Sequence, residues 1–222
     1  MMLEKLTRVN DRPVYSIEDE HFKTYGRVLK GYDFSELIQY MEAHTEIPKE
    51  GNVYFPSIME MEEMDIYKEI RDNLYGGMDI QIGYCNGVNS TMNGFEYHRG
   101  CEVNIAVTDQ AFFLGHTWDL EGNCYKQEKA EIFFAKKGQA MVMHETTLHL
   151  SPCKVEDTGF KTIVILLRGT NTTLEKTVRK REEGDTLLLM KNKWILSHKD
   201  REPLMKRGAF PGLLGVNTEL KY

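Results

Sequence analysis

Glu96-Tyr97-His98-Arg99-Gly100-Cys101-Glu102-Val103-Asn104 sets ligand-type side chains among residues that favour burial, and Thr147-Leu148-His149-Leu150-Ser151-Pro152-Cys153 answers it well downstream. On an extended strand Glu96 and His98, two residues apart, project from the same face. Gly100 permits a bend that returns Glu102 towards them. In the second block His149 stands between two leucines, shortly before a proline. Two imidazoles and one or two carboxylates, brought together across a closed sheet, compose a divalent-metal site.

Working outward, short strands surround both blocks. Asp79-Ile80-Gln81-Ile82-Gly83-Tyr84 alternates, as does the start of Val103-Asn104-Ile105-Ala106-Val107. Compact apolar runs follow at 111–114, 130–134, 139–143 and 162–167, divided in several places by Gly or Asp/Asn turn residues. No intervening segment is long enough for the crossover helix of a parallel βαβ unit, so a sandwich or barrel is expected. On the N-terminal side Asp33 is placed to cap a helix, with Phe34, Leu37, Ile38 and Met41 on one side and Glu36 at its third position. A second helix is predicted within 58–75, opened by Ser57 and Glu60 and closed by Gly76-Gly77, with its methionines packed around it. On the C-terminal side, residues 175–183 mix both charge signs as a solvated face does. The segment from 191 to 222 lacks clear periodicity, yet is too apolar in places to be disordered.

With 222 residues, 41% hydrophobic and 28% charged, the chain has the make-up of a soluble globular domain with additions. A net charge of −6 argues against a nucleic-acid partner, which needs a broad positive surface. No apolar run approaches a membrane span, and the N-terminus lacks the core of a signal peptide. The four cysteines, Cys85, Cys101, Cys124 and Cys153, form no C-x-x-C pair and read as buried thiols. A cytoplasmic location follows as the expectation.

The spacing of the two blocks resembles that of the cupins, the double-stranded β-helix family. Glu96-x-His98-x3-Glu102 follows the centre of the first cupin motif, G-x5-H-x-H-x3,4-E-x6-G, with Glu96 in place of the first histidine and Ser90 and Asp109 in place of the glycines. Gly138 and His149 hold their places in the second motif, G-x5-P-x-G-x2-H-x3-N, where His144, Thr146 and Cys153 replace proline, glycine and asparagine. A wider resemblance takes in Tyr25-Gly26-Arg27-Val28-Leu29, Gln81 to Gly87, Asn192-Lys193-Trp194 and Gly212 to Asn217. It is to an uncharacterised bacterial cupin-like family often associated with sugar-utilisation genes. The segments around Glu96, His98 and His149 are also similar to ureidoglycolate lyase.

The resemblance implies a mostly β, cupin-like jelly-roll barrel with N-terminal helices and an irregular C-terminal extension. Its expected parts are a helical addition at 1–77, a barrel at 78–170 and an extension of the same domain at 171–222. His98, Glu102 and His149 are the expected metal ligands, for zinc, manganese, iron or nickel. Glu96 is the expected catalytic acid/base, or a fourth ligand. Tyr84, His116, Lys129 and Glu131 are candidates for substrate contact, although a lysine beside a carboxylate also reads as a surface ion pair. The expected activity is a metal-assisted lyase or isomerase reaction on a sugar or a hydroxy/keto acid, in a homodimer. The alternative is a metal-free carbohydrate-binding or regulatory barrel, its two histidines satisfied by neighbouring hydrogen bonds.

Overall fold

The computed structural model describes residues 1–222. Its centre is a six-stranded sheet ordered Gly26–Leu29, Ala140–Met143, Glu102–Ala106, Phe160–Leu167, Ile80–Gly87 and Asn52–Phe55. Alternation along its strands divides the side chains cleanly. Ile80, Ile82, Val103, Ile105, Val142, Ile163 and Ile165 face outwards into a cluster shared with Leu37, Met41, Met61 and Ile70 of the helical layer. Glu102, Asn104, Thr162, Val164 and Met141 sit at the opposite parity and face inwards. Because helices cover the outer face, both faces are buried, which explains the continuous apolar runs at 140–143 and 163–167.

A second sheet supplies the opposite wall, with Val14–Ser16, Glu131–Ala135, Gln110–His116 and Thr147–Leu148 in order, and Cys153–Lys154 against the start of Gln110–His116. Its inner residues Phe112, Leu114 and Phe133 meet Met141 and Met143 of the first sheet. Its other face packs Ala111, Phe113, Ile132 and Phe134 onto a third sheet through Phe95, Leu196 and Leu213. That third sheet joins Gly94–Tyr97 to Lys193–His198, Phe210–Leu214, Leu188–Met190 and Tyr125–Lys126. A two-residue bridge between Glu96 and His149 ties the third sheet to the end of the second: Glu96 N donates to His149 O (2.6 Å) and His149 N to Glu96 O (3.0 Å). The chain thus crosses repeatedly between two facing walls, in the manner of a cupin-like jelly-roll barrel.

The helix predicted after Asp33 spans Ser35–His44, and Asp33 Oδ1 accepts from Ser35 N at 2.9 Å. The segment predicted as one helix within 58–75 is divided into Met59–Glu62, Asp65–Glu69 and a π-helical turn at Ile70–Leu74. Residues 1–77 are not a helical addition alone. They thread strands into both walls at Val14–Ser16, Gly26–Leu29 and Asn52–Phe55, which are too short for period-two alternation to reveal. Likewise the C-terminal segment is not merely irregular, since it forms most of the third sheet. No helix is long and apolar enough to cross a membrane.

Candidate metal centre

The inner parities of the two walls converge on Glu96, His98, Glu102 and His149, all buried. Tyr97 and Phe95 point into the apolar layer between the second and third sheets, so Glu96 must point the other way, into the barrel. Gly100, at φ +111°, makes the bend that brings Glu102 back beside His98. Only glycine enters that region without strain, and a Cβ there would lie 2.8 Å from Leu167 Cδ1. Leu148 is held in the apolar layer, and its neighbour His149 therefore turns inwards.

Each imidazole is fixed by its far nitrogen. His98 Nδ1 lies 2.6 Å from the carbonyl oxygen of Asn192, and His149 Nδ1 lies 3.0 Å from that of Thr147. A carbonyl only accepts, so both Nδ1 atoms carry the proton and both Nε2 atoms turn into the site. Asn192 adopts φ +54°, a left-handed conformation that asparagine tolerates, and its side chain is tied to Arg99 N (2.8 Å) and Thr170 Oγ1 (2.8 Å). The carbonyl that orients His98 is thereby itself held.

The two Nε2 atoms meet one carboxylate oxygen. Glu102 Oε2 is 3.1 Å from His149 Nε2 and 3.3 Å from His98 Nε2. With neutral imidazoles of the tautomer just described, nitrogen lone pairs would face an anionic oxygen at contact distance, which is repulsive. Either a second proton or a cation must lie between them. His98 Nε2 is buried and makes no hydrogen bond, and Glu96 Oε1 stands 3.7 Å from it. One ligand atom from each of Glu96, His98 and His149 lies within 4.8 Å of the other two. Bonds of about 2.0–2.2 Å place ligand atoms roughly 3–4 Å apart around one ion, so these residues fit a divalent cation after small side-chain adjustments.

The electrostatics favour charged groups. Burial by itself lowers the basicity of His98, but Glu102 and Glu96 outweigh it and raise its pKa to about 9. Burial opposes ionisation of Glu96, yet the adjoining Lys193 ammonium, with His98 and His149, brings it down to about 2. Glu102 is also held well below the usual carboxylate range, burial being overcome by His149 and His98. Its other oxygen accepts from Asn104 Nδ2 at 2.8 Å. Behind Asn104, Thr162 Oγ1 receives from Gln110 Nε2 at 3.1 Å and lies 3.5 Å from Asn104 Oδ1. A buried polar file therefore backs Glu102 across the barrel.

A cavity of about 230 Å³ opens onto this cluster, lined by Glu96, Glu102, Asn104 and Cys85 at the barrel end. Burial pushes the Cys85 thiol up to about 12, so it is no nucleophile.

A family model described as "Domain of unknown function (DUF4867)" matches residues 14–218. The chain belongs to this family. No curated protein matches it. Among solved structures, oxalate decarboxylase from Bacillus subtilis, a protein with Mn(II) centres, is similar over 44% of this chain and 24% of its own, with 11% identity and a TM-score of 0.31. Vicilin from Corylus avellana (hazelnut) is similar over 48% of this chain and 28% of its own, with 10% identity and a TM-score of 0.30. The DUF4867 chain thus spans about a quarter of the length of these two proteins.

Of the residues singled out in the sequence, the structure brings together Glu96, His98, Glu102 and His149. It does not bring in the other four. Tyr84 has the parity of Ile80 and Ile82, so it faces the helical layer and packs on Phe55, ring centroids 5.1 Å apart. His116 is sandwiched between Tyr25 and Trp118, at 4.0 Å from each. Lys129 pairs with Glu121 (3.1 Å) and, with Glu131, lines a separate surface depression beside Arg12. For Lys129 the ion-pair reading prevails, because a short 3₁₀ turn at Gln127–Lys129 interrupts the strand alternation that would have turned it inwards. Sequence reasoning missed Lys193 and Asn192 as neighbours of the site. Their only signal was the Asn192-Lys193-Trp194 triplet within the wider resemblance.

Proposed function

We propose that the protein is a divalent-metal enzyme acting on a small oxygen-rich substrate, by a lyase or isomerase type of reaction on a sugar or a hydroxy/keto acid. The observation that carries this reading is the pair of Nε2 atoms, locked by backbone carbonyls and aimed at one Glu102 oxygen. His98, His149 and Glu102 would hold the ion. Glu96 joins them as an oxygen donor in preference to the acid/base role suggested by its sequence position. A group held at about 2 is far from the pH at which a side chain exchanges protons efficiently. A bound divalent cation supplies Lewis acidity, polarising a carbonyl or lowering the pKa of a hydroxyl. Lys193 contacts Glu96 Oε2, lines the cavity, and offers N–H donors to a substrate oxygen that gains negative charge. The apolar layers on both walls exclude water from behind the ligands, which strengthens these interactions.

Elemental analysis of protein purified without chelators, with calorimetric titration of manganese, zinc, iron and nickel, tests the reading. The expected result is one ion per chain, lost in His149→Ala and weakened in Glu96→Gln while the fold persists. No binding of any of the four ions at pH 8 would instead leave a charge-balanced cluster of imidazolium and carboxylates, the metal-free binding barrel.

A further inference from the structure

The cavity that opens onto the Glu96 cluster carries positive charge as well as negative. Besides the carboxylates Glu96 and Glu102 it is lined by Lys193, Arg201 and Arg207. Lys193 is already committed to Glu96. The two arginines come from the chain around the short helix Glu202–Lys206, one just before it and one just after. Leu204, between them, lines the cavity too.

Arg201 is partly buried, and its guanidinium makes no hydrogen bond or ion pair. The other partly buried arginines are served: Arg12 donates to Gln127 O and Ala130 O, both at 3.0 Å, and Arg71 pairs with Asp72 at 2.7 Å. Its five N–H donors have no acceptor in the chain and are free to take an anion's oxygens. A second unpaired group faces the same space. Asn171 lines the cavity, and its Oδ1 is buried without a donor. It is an acceptor waiting for a hydroxyl or N–H.

Resting on the reading of this cavity as the substrate site, we infer that the substrate is a small hydroxylated anion. Its carboxylate or phosphate is gripped by Arg201, with Arg207 beside it, and a hydroxyl donates to Asn171 Oδ1. The opposite end of the molecule reaches the Glu96, His98, Glu102 and His149 cluster. Three cationic side chains against two carboxylates leave the cavity net positive before any metal is counted, so its field favours anions. Guanidinium forks match carboxylate and phosphate oxygens with paired donors, and a neutral polyol offers them nothing equivalent. The volume of about 230 Å³ suits a small metabolite and not a polymer.

The test is calorimetry on the full chain with three six-carbon probes: gluconate for the carboxylate, glucose 6-phosphate for the phosphate, and sorbitol as the neutral control. One or both anions should bind, whichever does identifying the anionic group, with sorbitol weaker by about tenfold or more. Arg201→Met should weaken the binding anion by about tenfold to a hundredfold, with sorbitol unaffected. Arg207→Met, at an exposed position where folding is not at stake, should weaken it less and reduce its salt dependence. Sorbitol binding as tightly as both anions, neither anion binding, or a folded Arg201→Met with unaltered anion affinity would overturn the inference. Should Arg201→Met fail to fold, undiminished anion binding by Arg207→Met overturns it. Metal content read on the same samples separates the two ideas. Anion binding without metal supports this inference and removes the metal reading, whereas bound metal without anion binding overturns this inference alone.

Discussion

The barrel interior has two parts carried on neighbouring strands, and they do opposite work. Around Phe22, Phe112, Phe133, Met141 and Met143 it is wholly apolar. Around Glu96, His98, Glu102, Asn104 and His149 it is buried to the same degree, yet polar and charged. Met143 and Glu102 are register partners on neighbouring strands, so the boundary runs between adjacent strands. Burial of the first part stabilises the fold through area removed from water. Burial of the second is unfavourable unless every charge has a partner. The lesson is that the polar part is tolerable only because the apolar part carries the fold.

That contrast is most strongly challenged at Phe133. Its ring is fully buried and meets Phe22 and Tyr25 at centroid distances of 5.4 and 5.0 Å. Phe133→Ala should destabilise the protein by about 3–5 kcal/mol in urea unfolding, while metal affinity of the folded fraction stays unchanged. Loss of metal binding at equal stability would show that the two parts are not separable.

Next in size is Lys193→Met, which removes the cation from Glu96 and leaves a buried carboxylate less well paired. A loss of about 3 kcal/mol is expected in metal-free protein, partly recovered when manganese is added. A loss that manganese leaves untouched would mean that Glu96 does not belong to the ion.

A pH series sharpens the same comparison. The folded-state pKa of His98 is raised to about 9 from 6.5, so its contribution is fully present below 6.5 and lost as pH rises through 9. Glu96, lowered from 4.5 to about 2, contributes above 4.5 and loses that contribution as pH falls towards 2. Metal-free protein should accordingly show its polar part most stabilising between 4.5 and 6.5. Thermal melts with and without manganese should diverge above 6.5, since a cation replaces the proton on Nε2. Superimposable melts at every pH would place the cation elsewhere.

The smallest expected effect is at Thr162→Val, which preserves shape and deletes the hydroxyl behind Asn104. About 1 kcal/mol should be lost, with a small weakening of metal affinity as Glu102 loosens. Metal affinity held while stability falls would assign the file to folding alone.

Much of the site was legible in the chain, for reasons confined to a few residues. Glu96 and His98 are two apart, and the side-chain period of a strand is two, so a shared face follows from covalent geometry. Gly100 marked the bend, and leucines on either side of His149 marked burial. The same period, read without knowing which face was inside, made Tyr84 a cavity candidate, and only the helical layer settled its direction. Lys129 failed for a different reason, since a single 3₁₀ turn resets the parity.

By itself, then, the sequence determined most of the core strands between Ile80 and Leu167, the helix after Asp33 and the two blocks that commit Glu96, His98, Glu102 and His149 to one interior. Those features are local, and a local period records them. The tertiary structure alone decided that Asn192 O orients His98, that Lys193 neutralises Glu96 and that Arg201 and Arg207 face the same cavity. These partners come from a segment without periodicity, nearly half the chain away from Glu96, and reach it through strand pairing between Gly94–Tyr97 and Lys193–His198. Pairing across such a distance is chosen by which faces must be buried together, a property of the assembled walls that no window of residues contains.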